Sequence, residues 1–145
     1  MKLLNGGKKY RPYLVKDIIA PDGTVIKHFD PVVERDLNID PSVISLVQEG
    51  LHEVSTVGTA AAMFKDFPVP IAGKTGTAEN SHGREHGWFV AYGPFDNPNI
   101  AVAVIVENAG YGATSAVPIG YKILSAAFGL DKPKTPENQP APAQQ

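Results

Sequence analysis

The 145 residues contain no cysteine, which removes disulfides, thiolate metal ligands and a thiol nucleophile together. Redox compartment is therefore left open. An excess of one charge is also missing: 13 Lys and Arg stand against 15 Asp and Glu, a formal net charge of -2. Without a basic footprint, nucleic acid is not an expected partner. No apolar run approaches the roughly 20 residues that cross a bilayer. The first ten residues turn to Asn5-Gly6-Gly7 and lysines too soon for a secretory leader, so export would depend on a segment upstream. What is present is ordinary: 43% hydrophobic content, sufficient for the core of a single domain.

Along the chain, Met1-Lys2-Leu3-Leu4 before Asn5-Gly6-Gly7 reads as a last helical turn and its left-handed cap. Tyr10 to Ile19 reads as a strand that starts at, or runs along, a sheet edge because of Pro12. Pro21-Asp22-Gly23-Thr24 turns it into a return strand, Val25 to Phe29, making a hairpin. Asp40-Pro41 starts a helix whose Val43, Val47, Leu51 and Val54 recur at helical spacing, with Gly58 at its end and one further turn over 59–64. His52 and Glu53 on that helix are read as solvated. Three strands follow, at 71–78, 87–92 and 100–107, as an antiparallel meander. The third is apolar on alternate residues of both sets and is expected to be covered on both faces. Ser115 is read as the cap of a helix over 116–128 that ends at Gly129. The expected fold class is α+β, an antiparallel meander flanked by helices. Residues 131–145, Pro/Gln-rich, are expected to be a disordered tail after a domain portion over 1–130.

The chemistry concentrates in Ile71-Ala72-Gly73-Lys74-Thr75-Gly76-Thr77-Ala78-Glu79. Lys74 brings a positive charge, Thr75 and Thr77 bring hydroxyl donors, and Gly76 allows a ligand close to the backbone, a combination suited to an anionic ligand at a strand edge. The same letters fit a Gly-rich turn with one solvated lysine, and the flanks must decide. A phosphate-cradling P-loop is rejected, because Pro68 stands where its first glycine belongs, and Pro68 and Pro70 remove amide donors. His82-Gly83-Arg84-Glu85-His86 spells an inverted zinc-protease motif. Metal binding there needs a helix, and the glycines and Asn80-Ser81 around it indicate a loop, so no metal site is assigned. Trp88, Phe89 and Tyr92 are read as packing.

The order of these parts carries a resemblance. Lys74-Thr75-Gly76-Thr77-Ala78-Glu79, His86-Gly87-Trp88-Phe89-Val90-Ala91-Tyr92-Gly93-Pro94 and Asn97-Pro98-Asn99-Ile100-Ala101-Val102-Ala103-Val104 resemble the C-terminal part of a penicillin-binding protein transpeptidase domain. Asn5-Gly6-Gly7 with Arg11 to Val15, Val57-Gly58-Thr59-Ala60 and Val106-Glu107-Asn108 are similar to class B members, the penicillin-binding protein 2 group in particular. The resemblance covers residues 3 to 129. It implies a D,D-transpeptidase that binds the D-Ala-D-Ala stem peptide of peptidoglycan, is acylated by β-lactams and uses no cofactor. It implies a domain on the outer side of a bacterial inner membrane. By motif position, Lys74 and Thr77 would be catalytic, Lys74 through the electrostatics around the nucleophile and Thr77 through a backbone oxyanion donor. Thr75, Gly76 and Thr77 would bind substrate, the two hydroxyls on its carboxylate.

The family pattern also requires Ser-x-x-Lys and Ser-x-Asn. The serines stand at 42, 45, 55, 81, 115 and 125; none has lysine three residues on and none has asparagine two residues on. The expectation is therefore an incomplete domain, inactive alone, whose partner is the N-terminal half carrying the nucleophile. Self-association through an uncovered sheet face is a further expectation. The alternative is a non-catalytic module that docks a partner on its sheet.

Overall fold

A computed structural model describes residues 6–131. The helix end expected over 1–4 and the tail expected beyond 131 lie outside them. The chain divides into two compact units, Met1–Leu51 and His52–Gln145.

In the first unit, four short strands pair antiparallel in two ribbons: β1 (Lys8–Tyr10) with β4 (Val33–Asp36), and β2 (Asp17–Ile19) with β3 (Val25–His28). The β2–β3 hairpin is the expected one, with the Asp22 carboxylate accepting the Thr24 amide and Gly23 at φ +87°. The single strand expected from Tyr10 to Ile19 is not formed. Pro12 cannot donate to a ladder, and the chain breaks there into β1 and β2. β4 was not anticipated, since Val-Glu-Arg-Asp has one β-branched residue and no alternation; a Lys9–Glu34 ion pair bridges it to β1. Helix α1 (Pro41–Thr56) starts as expected: the Asp40 carboxylate accepts the Ser42 amide at 2.8 Å and the Ser42 hydroxyl at 2.6 Å. Those two bonds, the hydroxyl's first, hold the Asp40 carboxyl below the usual carboxylate range. The apolar stripe of α1 is less buried than its periodicity implies: Ile44 is buried, while Val43, Leu46 and Val47 are exposed.

The second unit is built on a three-stranded antiparallel sheet in the order β5 (Ala72–Ala78), β6 (His86–Gly93), β7 (Ile100–Val106). The register places Thr75 opposite Phe89 and Phe89 opposite Val104. Strand alternation then puts Gly73, Thr75 and Thr77 on one face with Gly87, Phe89, Ala91, Val102, Val104 and Val106. Helix α3 (Gly112–Ala127) packs on that face, where Phe89, Val104, Ala116, Val117 and Leu124 join Ile71, Phe64 of α2 (Ala61–Phe64) and Ala60 in the core. Phe89, Ile71, Leu124 and Val117 are fully buried, each contributing about 1.5–3 kcal/mol relative to exposure. At Gly120 the helix lies so close to the sheet that a Cβ would sit 2.4 Å from the Phe89 ring.

Three readings need correction. β7 is covered on one face only: Val104 is buried, but Ala101, Ala103 and Ile105 face outward exposed. α3 begins one turn before Ser115, after Tyr111, which makes no side-chain cap; the Ser115 hydroxyl donates back to the Tyr111 carbonyl at 2.9 Å instead. Its end is as expected, with Gly129 at φ +70° and the Gly129 and Leu130 amides closing on Ala126 and Ser125 carbonyls. His52 is not solvated. Its Nδ1 donates to the Ile71 carbonyl at 2.6 Å and its ring stacks on Phe95, centroids 4.6 Å apart, whereas Glu53 is exposed. No helix among the described residues is long and apolar enough to cross a membrane.

Candidate functional site

β5 is an edge strand, so a row of its backbone groups faces no neighbouring strand of this sheet. Its position is fixed from behind. The Ile71 carbonyl, one residue before β5, accepts both His52 Nδ1–H and the buried Ser55 hydroxyl, the latter at 2.9 Å. Gly76 lies against Trp88, whose Cβ is 3.2 Å from where a Gly76 Cβ would be.

Lys74, Thr75, Gly76 and Thr77 together line one cleft of about 380 Å³. Strand alternation alone would place Lys74 and Thr75 on opposite faces. The Lys74 ammonium instead bends back to donate to the Thr75 carbonyl at 2.7 Å. Among the described residues it has no acidic partner, so its charge is left for a ligand. Lys74 and Thr77 are exposed, and Thr75 and Gly76 half-buried.

The far wall is the start of α3, with Tyr111, Gly112 and Ala113. A Cβ on Gly112 would fall 2.4 Å from the Gly76 carbonyl oxygen and 2.3 Å from that of Trp88; glycine is what lets the helix end reach β5. The first amides of a helix lack intrahelical acceptors and carry the positive end of its dipole. Lys74 lines the same cleft, so the helix start and the ammonium both favour an anion. The remaining wall is Thr59, between α1 and α2, whose hydroxyl lies 2.7 Å from that of Thr75. No role for Thr59 is legible from the chain by itself, because nothing local shows that it meets a residue 16 positions on.

His82 to Glu85 form a loop, as the glycine there implies, and His86 opens β6. His82 bonds the neighbouring Ser81 hydroxyl, and His86 Nδ1 accepts the Asn108 amide at 2.9 Å. Asn80 donates to the Asn108 side chain, and the Arg84 guanidinium lies over Gly110. The loop is thereby tied to the segment leading into Tyr111, and neither Arg84 nor His86 lines the cleft.

A family model described as the penicillin binding protein transpeptidase domain matches residues 1–125. The peptidoglycan D,D-transpeptidase MrdA of Haemophilus influenzae is 34% identical over 163 residues, covering 99% of this chain and 24% of that protein. The peptidoglycan D,D-transpeptidase PbpA of Mycolicibacterium smegmatis is 34% identical over 137 residues, covering 87% of this chain and 27% of its own length. Among solved structures, the ceftriaxone acyl-enzyme complex of penicillin-binding protein A from Mycobacterium tuberculosis superposes with a TM-score of 0.74. It is 34% identical, over 88% of this chain and 30% of that one. The chain thus spans about a quarter of the length of the curated relatives it matches. The ordered motifs, the α+β fold and these similarities agree: the chain belongs to the penicillin-binding protein transpeptidase domain family.

Proposed function

We propose that this chain supplies the substrate-binding strand of a peptidoglycan D,D-transpeptidase domain that acts outside the cytoplasmic membrane. The observation that carries the reading is the cleft itself. An ammonium with no acidic partner among the described residues, two threonine hydroxyls, a glycine and a helix start converge on an open strand edge. A peptide ending in D-Ala-D-Ala fits such a place by lying antiparallel along β5 as an added strand. Its terminal carboxylate, or that of a β-lactam, meets the Thr75 and Thr77 hydroxyls, with Lys74 adding charge. The Thr77 amide is one of the two oxyanion donors, a contribution worth about 10²–10³ in rate.

The nucleophile does not come from these residues, since no serine here has a lysine three positions on. In the complete domain a serine attacks the peptide carbonyl, D-alanine leaves, and an amine from a second strand takes the acyl group from the serine. The N-terminal half of the domain, with Ser-x-x-Lys, is therefore the partner this chain requires. Labelled penicillin tests the reading. The complete domain should acquire a covalent label that survives denaturation, the Lys74→Ala domain should label far more slowly with an unchanged melting curve, and the isolated chain should not label. Wild-type labelling by Lys74→Ala, or stoichiometric labelling of the isolated chain on one of its serines, would remove the assignment.

A further inference from the structure

Thr75 can offer its single hydroxyl proton to only one acceptor, and Thr59 Oγ1 lies 2.7 Å away, within reach of it. If Thr75 donates to Thr59, it has no proton for an anion in the cleft. If Thr59 donates to Thr75, the Thr75 proton is released toward the cleft, and donating to one partner while accepting from the other polarises the hydroxyl. We infer that Thr59 is a positioning residue for carboxylate recognition, its hydroxyl donating to Thr75 and directing the Thr75 proton at the substrate's carboxylate. The inference rests on the reading of the cleft given above.

The setting of Thr59 supports this role. Its backbone is held on both sides: the Gly58 amide closes on the Glu53 carbonyl at 2.8 Å, and the Ala60 amide on that of Val54 at 2.9 Å. Gly58 has no room for a side chain, since a Cβ would lie 2.8 Å from the Val54 Cα, and Ala60 is buried in the core. Thr75 is fixed in the β5–β6 ladder opposite the buried Phe89. The two hydroxyls therefore meet because two rigid elements place them there. The Thr59 side chain itself is exposed and lines the cleft, so its packing contributes little to folding.

The test compares acylation of the complete domain by a penicillin and by the methyl ester of its carboxylate. Thr59→Val should slow the acid about threefold to tenfold, the range of one neutral hydrogen bond, and leave the ester unchanged. Thr59→Ser, which keeps the hydroxyl, should restore the acid rate. Added to Thr75→Val, the Thr59→Val change should slow the acid no further. A distortion of the cleft would instead slow acid and ester alike, and Thr59→Ala repeats the comparison if the valine variant melts early. If Thr75→Val lowers the acid-to-ester ratio but Thr59→Val and Thr59→Ala do not, the role of Thr59 is overturned and the cleft stands. If Thr75→Val leaves that ratio unchanged, the cleft reading fails and the Thr59 role fails with it.

Discussion

With no carboxylate partner among the described residues, Lys74 donates to the Thr75 carbonyl of its own strand and its charge is left for solvent or a ligand. The two threonines differ from it in kind. They discriminate by geometry, so Thr75→Val should weaken carboxylate-bearing β-lactams about tenfold while the melting temperature moves little. Acylation rates and thermal scans on the same preparations would show this; equal loss for carboxylate-free ligands would count against it. In the first unit, His28 Nδ1 meets the Asp17 carboxylate across the β2–β3 hairpin. That hydrogen bond raises the His28 pKa above its ordinary value. A raised folded-state pKa means the contact supports the fold fully below the unfolded value of about 6.5 and loses that support as pH rises through the folded one. Proton NMR should find His28 titrating above that value, and Asp17→Asn should return it to the ordinary range. An unchanged midpoint in the variant would mean that the pair is not formed in solution.

Elements were legible where a local residue carries the signal. Asp40-Pro41 announces α1, Gly129 ends α3, and the aromatic and apolar run Trp88 to Tyr92 gives β6 within a residue or so. They were illegible where the cause lies across the fold. The start of α3 has no capping side chain, so the nearest hydroxyl, Ser115, was the natural but wrong choice. What fixes that start is Gly112 meeting the carbonyls of Gly76 and Trp88, a contact no local pattern displays. In the same way, a histidine on a polar helix turn gives no sign that the Ile71 carbonyl and the Phe95 ring await it. The four motif residues of the candidate site could be read from sequence, but Thr59 and Tyr111 needed the fold. Gly112 gives the element-level prediction. Alanine there must push the start of α3 away from β5, since the obstructing atoms are backbone, and a cost of about 1–3 kcal/mol follows from overpacking. Denaturant unfolding should show that loss, with slower acylation in the complete domain because the cleft widens. Full stability in Gly112→Ala would mean that the helix start is not packed on the strand.

At the scale of the whole molecule, the sheet of the second unit has one face in the core and one that is buried only at its Ala72 and Tyr92 end. Trp88, Val90 and Ile105, with Ala101 and Ala103, share the outer face by alternation and register, and all five are exposed. β7 at the sheet edge reads Ile-Ala-Val-Ala-Val-Ile-Val, without a charge, a proline or a bulge to discourage pairing. An apolar segment of that length with high strand propensity is the kind that pairs with a copy of itself when its edge is open. The face behind it adds area of the sort that soluble monomers keep to about 300–600 Å². We therefore propose that the isolated chain self-associates through this face and edge. Sedimentation at increasing concentration should show dimers or larger species, and a hydrophobic dye should brighten on binding. Ile105→Lys places a charge on the exposed side of β7 without touching the Val104 side of the core, so it should reduce both signals and leave the melting temperature nearly unchanged. A wild-type chain that stays monomeric at high concentration and binds no dye would show that this face needs no cover.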